Sequence, residues 1–136
     1  MSDSLAIAVH SGDFDRVHYA LVMASAAAAT DRKVTLFFTG RAVAALVGTT
    51  GWHALAAAPE GAASCDATLH QRGVAGFEEL LTACQELGVR MIVCEMALRA
   101  AGFDSSTVVL RRDLTLETAG VVTFLNAAAG GAVVFV

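Results

Sequence analysis

The chain has 136 residues, 56% of them hydrophobic and 16% charged, with one proline and a formal net charge of −4. That length fits a single domain over residues 1–136, because two separate cores would each be marginal, and the apolar content excludes global disorder. Lysine and arginine form no cluster beyond the pairs Arg32-Lys33 and Arg111-Arg112, which excludes a basic nucleic-acid-binding face.

Met1-Ser2-Asp3-Ser4 places no basic residue ahead of the first apolar run, which argues against a secretory signal. Leu5 to Val9 is a short continuous apolar run and reads as a buried strand of a parallel sheet. Ser11-Gly12-Asp13 then turns the chain and offers a helix cap. Val17, Leu21, Ala24 and Ala28 follow at helical spacing, ending near Thr30-Asp31. Val34 to Phe38 is the second strand. Thr39-Gly40 turns the chain into a short helix over Ala42 to Val47.

From Gly48 to Gly73 the periodicity weakens around Gly48, Gly51, Pro59, Gly61 and Gly73. This stretch reads as a long, mostly irregular segment carrying Trp52, His53 and Cys65, and such segments often serve as lids or binding loops. Phe77, Leu80, Leu81, Cys84 and Leu87 mark an amphipathic helix stopped by Gly88. Val89 to Val93 is the third strand and ends at Cys94. A short helix over Met96 to Ala101 is stopped by Gly102.

Thr107 to Leu110 reads as a short strand or a loop. Thr115 or a neighbour caps a helix running to about Ala128, and Ala132 to Val136 is a last, buried strand. The uncharged stretch from Thr118 to Val136 is long enough to raise a membrane span. Asn126 and Gly130-Gly131 interrupt it, so helix, turn and strand is the better reading. A soluble, cytoplasmic protein is expected.

Alternating strands and helices give an α/β fold with a mainly parallel sheet. Such folds bind ligands at the carboxyl ends of their strands. The turns after the first three strands therefore gather His10, Ser11, Thr39, Cys94 and Glu95 at one edge. Cys94 stands where a strand hands over to a helix, facing free N–H groups that favour an anion. Such a position can lower a thiol pKa from about 8.5 into the range of roughly 3.5–7.5. Glu95 opposes that ionisation, and Arg99 or Arg90 can offset it. The competing reading of Cys94 is a buried small hydrophobe.

Three cysteines in a reducing compartment argue against a disulfide framework. Cys84 lies on an apolar helical stripe and reads as core. Cys65 reads either as a mobile second thiol able to resolve an oxidised Cys94 or as an incidental surface cysteine. Cys94-x4-Arg99 is one residue short of a phosphatase loop and contains no glycine. His10, His18, His53 and His70 show no metal-ligand spacing, and no phosphate-binding glycine motif is present, so neither a metal nor a cofactor is expected.

Gly88-Val-Arg-Met-Ile-Val-Cys94-Glu-Met-Ala-Leu is similar to a known arrangement. A helix is followed by Gly-Val, an apolar strand, a cysteine, a polar residue, then Met96 and Gly102-Phe103. Together with Ser11-Gly12-Asp13, Val34-Thr-Leu-Phe-Phe38, Ala119-Gly120 and the following Val-Val-Thr-Phe-Leu, the chain resembles the DsrE/DsrF-like family of small sulfur-relay proteins, in particular its stand-alone members. The resemblance covers nearly the whole chain.

It implies a flavodoxin-like three-layer α/β/α domain of about five strands, with Cys94 accepting sulfur as a persulfide. It also implies homo-oligomers, often trimers or hexamers. The expected function is a small cytoplasmic sulfur carrier or sulfurtransferase-like protein that exchanges sulfur with donor and acceptor proteins or small thiols. Glu95 and Arg99 would tune the site, and Trp52 and His53 would cover it. The alternative is a non-catalytic oligomerising or small-ligand-binding module of the same fold.

Overall fold

The computed structural model describes residues 3–104 and 106–136; Met1 and Ser2, used above in reading the opening segment, lie outside the described residues. Chain order is β1 (Leu5–Val9), α1 (Phe14–Ala29), β2 (Val34–Phe38), two 3-10 helices (Gly40–Leu46 and Gly51–Ala54), α2 (Ala62–Gln71), α3 (Phe77–Glu86), β3 (Arg90–Cys94), α4 (Glu95–Ala100), β4 (Leu116–Ala119), α5 (Val121–Ala128) and β5 (Ala132–Phe135). The five strands form one all-parallel sheet in the order β4-β3-β2-β1-β5. Helices α1 and α3 pack together on one face, and α5 covers β1 and β2 on the other. This is the expected three-layer α/β/α, flavodoxin-like architecture.

β2 is buried along its whole length because it lies at the centre with a helical layer on each face. That is why Val34-Thr-Leu-Phe-Phe38 is almost continuously apolar instead of alternating. Register places Phe135, Ala8, Phe37 and Ile92 in one row across β5, β1, β2 and β3. Phe37 stacks on Phe124 of α5, so this row faces α5. Alternation sends Ile7, Leu36, Phe38, Met91 and Val93 to the opposite face, where Val17, Leu21 and Ala24 of α1 are buried with them. Small residues on α1 (Ala20, Ala24 and Ala27, all buried) let the helix approach the sheet closely.

Helix α3 ends as its sequence indicates. Gly88 has φ +79°, a left-handed conformation that glycine adopts without a Cβ penalty. The start of α3 is capped from elsewhere in the chain: the Phe77 amide donates to Asp66 Oδ1 of α2 at 2.7 Å.

Three expectations are corrected, and a fourth, the strand or loop at Thr107 to Leu110, resolves as a loop. The segment from Gly48 to Gly73 is not mostly irregular, since it contains the second 3-10 helix and α2. Within α2, Ala62, Cys65, Asp66 and Leu69 are buried or half-buried at helical spacing, while the apolar contrast of the helix is low because this inward face includes the charged Asp66 and the small Ala62. The helix read from Thr115 to Ala128 is in fact strand β4 followed by α5, divided at Gly120. Thr107 to Leu110 supplies only a single antiparallel bridge, between Leu110 and Val47. Finally, β5 is an edge strand and is largely exposed, with Val133 at 56% and Phe135 at 71% exposure.

Candidate functional site: a cysteine in an apolar cavity

β3 runs apolar through Met91, Ile92 and Val93 and delivers Cys94 to the carboxyl edge of the sheet. Cys94 occupies the N-cap position of α4, with extended backbone and no side-chain capping bond. The residue is buried at 2% exposure. It lines a cavity of about 570 Å³ together with Ala8, Phe37, Thr39, Met96 and the first turns of α5, including Gly120 to Leu125, with Phe135 of β5 at the far side.

Side-chain chemistry in this cavity is uniform. Phe37 and Phe124 form one wall, their ring centroids 5.0 Å apart and their planes 20° apart. Among the described residues, Thr39 and Thr123 bring the only side-chain oxygens, and no charged side chain lines the cavity. The N-terminal end of α5 faces the same space, capped only by the backbone of Gly120. The first amides of a helix lack intrahelical acceptors and carry partial positive charge. Two helix starts, those of α4 and α5, thus meet at this edge, whereas the sequence suggested only the first.

The structure separates the other residues singled out from the sequence. Thr39 joins Cys94 in the cavity. His10 is exposed beside it, its ring centroid 5.5 Å from that of Phe135, and its amide donates to the Val136 carbonyl at 2.7 Å. Ser11 turns away: its Oγ accepts from the Asp13 amide at 3.0 Å, and it lines a different cleft with Gly12 and Arg41. Glu95 and Arg99 are both exposed on α4, and neither lines the cavity.

Trp52 is not at the cavity either. It is buried against Phe77 at 4.8 Å, with its indole N–H donating to Glu78 Oε2 at 2.7 Å. His53 is exposed against the edge of that indole. The remaining thiols also lie elsewhere. Cys65 is half-buried on α2, beside a cleft lined by Asp13, Asp15 and Pro59. Cys84 is fully buried, its thiol 3.8 Å from the Leu21 carbonyl, and burial pushes its pKa up to about 11.

An ion cluster around a buried arginine escaped the sequence reading. Arg111 is buried and donates to Glu78 Oε2 at 2.7 Å and Oε1 at 2.6 Å, and to Asp113 Oδ1 at 2.9 Å. Hydrogen bonding to Arg111 holds the carboxyls of Glu78 and Asp113 below their ordinary values, and both carboxylates raise the Arg111 pKa in turn. The cluster ties the Arg111–Asp113 stretch to α3. In the sequence it shows only as Arg111-Arg112 followed by Asp113, and the decisive partner Glu78 lies thirty-three residues away.

The family model for the DsrE/DsrF-like family matches residues 3–136. The chain belongs to the DsrE/DsrF-like family. The match is essentially full-length and brings with it a role related to sulfur relay. A comparison with curated proteins gave no match. For a DsrE/DsrF-like domain, the feature that stands out here is a cysteine at the carboxyl edge of the sheet opening into an uncharged cavity. Among the described residues no group of three or more His, Cys, Asp or Glu side chains is placed to hold a metal, and no helix is long and apolar enough to cross a membrane.

Proposed function

We propose that this DsrE/DsrF-like chain is a small cytoplasmic sulfur carrier in which Cys94 holds sulfur as a persulfide. The observation that carries the reading is the placement of the Cys94 thiol in a cavity of about 570 Å³ at the carboxyl edge of the sheet, between the starts of α4 and α5. A thiolate formed there attacks the outer sulfur of a donor persulfide. One S–S bond forms at Cys94, the donor S–S bond breaks, and the donor thiolate leaves with the electron pair. An acceptor thiolate then repeats the exchange on the outer sulfur and restores Cys94. No net oxidant or reductant is consumed.

Donors and acceptors of this kind are proteins or small thiols. The three free cysteines suit a compartment where thiols stay reduced. The reading is tested by intact-mass measurement after exposure to an organic trisulfide and to inorganic polysulfide. Peptide mapping should assign added sulfur to Cys94 in wild type, with any addition at the half-buried Cys65 counted apart, and total addition should fall in Cys94→Ser. Equal addition to the variant, or none to wild type, would overturn it.

A second reading, a homo-oligomerising module, is favoured by a different observation. Met96, Val121, Val122, Leu125, Val133 and Phe135 are each more than half exposed. They lie on α4, α5 and β5, at and around the cavity mouth. Exposed apolar surface of this kind marks an association site. The two readings share one face, and a second copy seated on it would border the cavity that holds Cys94.

A further inference from the structure

We propose that the Cys94 cavity selects uncharged sulfur chains, organic polysulfanes as a class, over anionic oxo-sulfur donors such as tetrathionate. The inference rests on the sulfur-accepting role of Cys94 and adds the substrate class. Its first support is the wall chemistry. Phe37, Phe124, Phe135 and Met96 line the cavity with Val121 and Val122. Divalent sulfur is polarisable and packs favourably against aromatic rings, and its transfer from water into such a space follows the buried apolar area.

The second support is the placement of the cations. An oxyanion entering an apolar cavity loses hydration that only a charged or strongly hydrogen-bonding partner restores. Arg90, on the same strand as Cys94, is committed to Glu117, with Nη2 at 2.8 Å from Oε2. Arg99 is exposed and outside the cavity. Arg41 lines the separate cleft with Ser11. Besides the start of the six-residue α4, which Cys94 itself caps, the positive element lining the cavity is the start of α5. A helix start carries roughly half an elementary charge, which suits one thiolate and not a thiolate together with a dianionic donor.

The step balances without a further reagent. The Cys94 thiol gives its proton to solvent, and the thiolate attacks the central sulfur of R–S–S–S–R. One new S–S bond forms at Sγ and one S–S bond of the donor breaks. The departing RS⁻ takes the electron pair and is protonated by solvent, leaving Cys94–S–S–S–R.

The test compares dimethyl trisulfide with tetrathionate. The rate of modification at Cys94 is measured by mass spectrometry and divided by the rate of the same donor with N-acetylcysteine, which removes intrinsic reactivity. The normalised rate should be at least about tenfold higher for dimethyl trisulfide, a difference equivalent to about 1.4 kcal/mol. Val122→Arg puts a cation at the mouth, where Val122 is 68% exposed, so the fold should tolerate it. That variant should lower the preference about tenfold by speeding tetrathionate.

Equal or reversed normalised rates in wild type, or a preference unmoved by Val122→Arg, would overturn the proposed selectivity and leave the carrier role standing. If neither donor modifies Cys94 in folded protein while both modify it after unfolding, the carrier role falls and the selectivity with it.

Discussion

Phe37 of β2 stacks on Phe124 of α5 with 5.0 Å between ring centroids, and both rings line the cavity that holds Cys94. One contact thus serves two purposes. It fastens α5 to β1 and β2, and it forms a wall of the cavity that Cys94 lines. Replacing Phe124 with Ala removes the stacked ring and leaves a void, at a cost of about 3–5 kcal/mol. Chemical denaturation should report that loss. Phe124→Leu, which keeps most of the volume, should lose less than half as much. If both variants unfold at the wild-type midpoint, the contact does not hold α5 in place.

Removal of Arg111 should destabilise the chain beyond the loss of an ordinary surface ion pair. Its side chain is 2% exposed, while those of Glu78 and Asp113 are about half exposed and can recover water. The expected loss for Arg111→Met is therefore roughly 2–4 kcal/mol, near the lower end of values for broken buried pairs. Thermal melts of Arg111→Met and Trp52→Phe would check it. The second variant deletes the indole donor to Glu78 together with part of a buried ring, and should cost about 1–3 kcal/mol.

The same cluster predicts a pH dependence with a definite sign. Glu78 and Asp113 have folded-state pKa values below their ordinary 4.5 and 3.8, chiefly through hydrogen bonds from Arg111. Groups with lowered folded values bind fewer protons in the native state. Their contribution is complete above the ordinary carboxylate range and is lost as the pH falls through the lowered values. Stability should therefore drop as the pH falls below about 4.5. Glu78→Gln should flatten that drop and lower stability at neutral pH. An unchanged acid slope in Glu78→Gln would remove Glu78 from the account.

The three thiols should react in different orders with different reagents. Cys84 is fully buried and stays protonated up to about pH 11, so it should resist alkylation until the protein unfolds. Cys65 is half-buried beside an open cleft and should react with both iodoacetamide and iodoacetate. Cys94 should react with small neutral iodoacetamide through its cavity and more slowly with anionic iodoacetate, relative to free thiol. Peptide mapping would assign each site. Protection of Cys94 against both reagents would mean that the cavity is closed to solutes.

The apolar face around the cavity mouth should mediate self-association. Sedimentation of wild type should show a species larger than one chain, and Leu125→Asp should yield monomer without loss of helical signal. Leu125 is 57% exposed, so the substitution should leave the core undisturbed. Monomeric wild type at micromolar concentration would argue against this face as an interface.

Much of the layout was readable because buried parallel strands are written as unbroken apolar runs. Leu5 to Val9 and Met91 to Cys94 are such runs, Val34 to Phe38 is one but for Thr35, and α1 and α3 carry clean helical spacing. Two elements were obscured. Helix α2 faces the core through Ala62 and the half-buried Cys65 and Leu69, so its amphipathic contrast is weak. β4 is a four-residue edge strand whose polar Glu117 and Thr118 suit solvent, so the strand blended into the following helix until Gly120 was seen to divide them.

The sequence alone determined the α/β class, the order of the central elements and the arrival of Cys94 at the end of β3, because each depends on local periodicity and on turns a few residues long. It also pointed to Thr39 at the same edge. What surrounds the thiol was decided only by the tertiary structure. Strand order brings β5 beside β1 and so sets Phe135 opposite Cys94, while α5 crosses over to place Phe124 and its own N-terminus there. The same packing carried Trp52 away to Phe77 and Glu78, because its ring and its N–H found burial and an acceptor on the other side of the sheet. Such choices depend on contacts between residues far apart in the chain, and no local pattern records them.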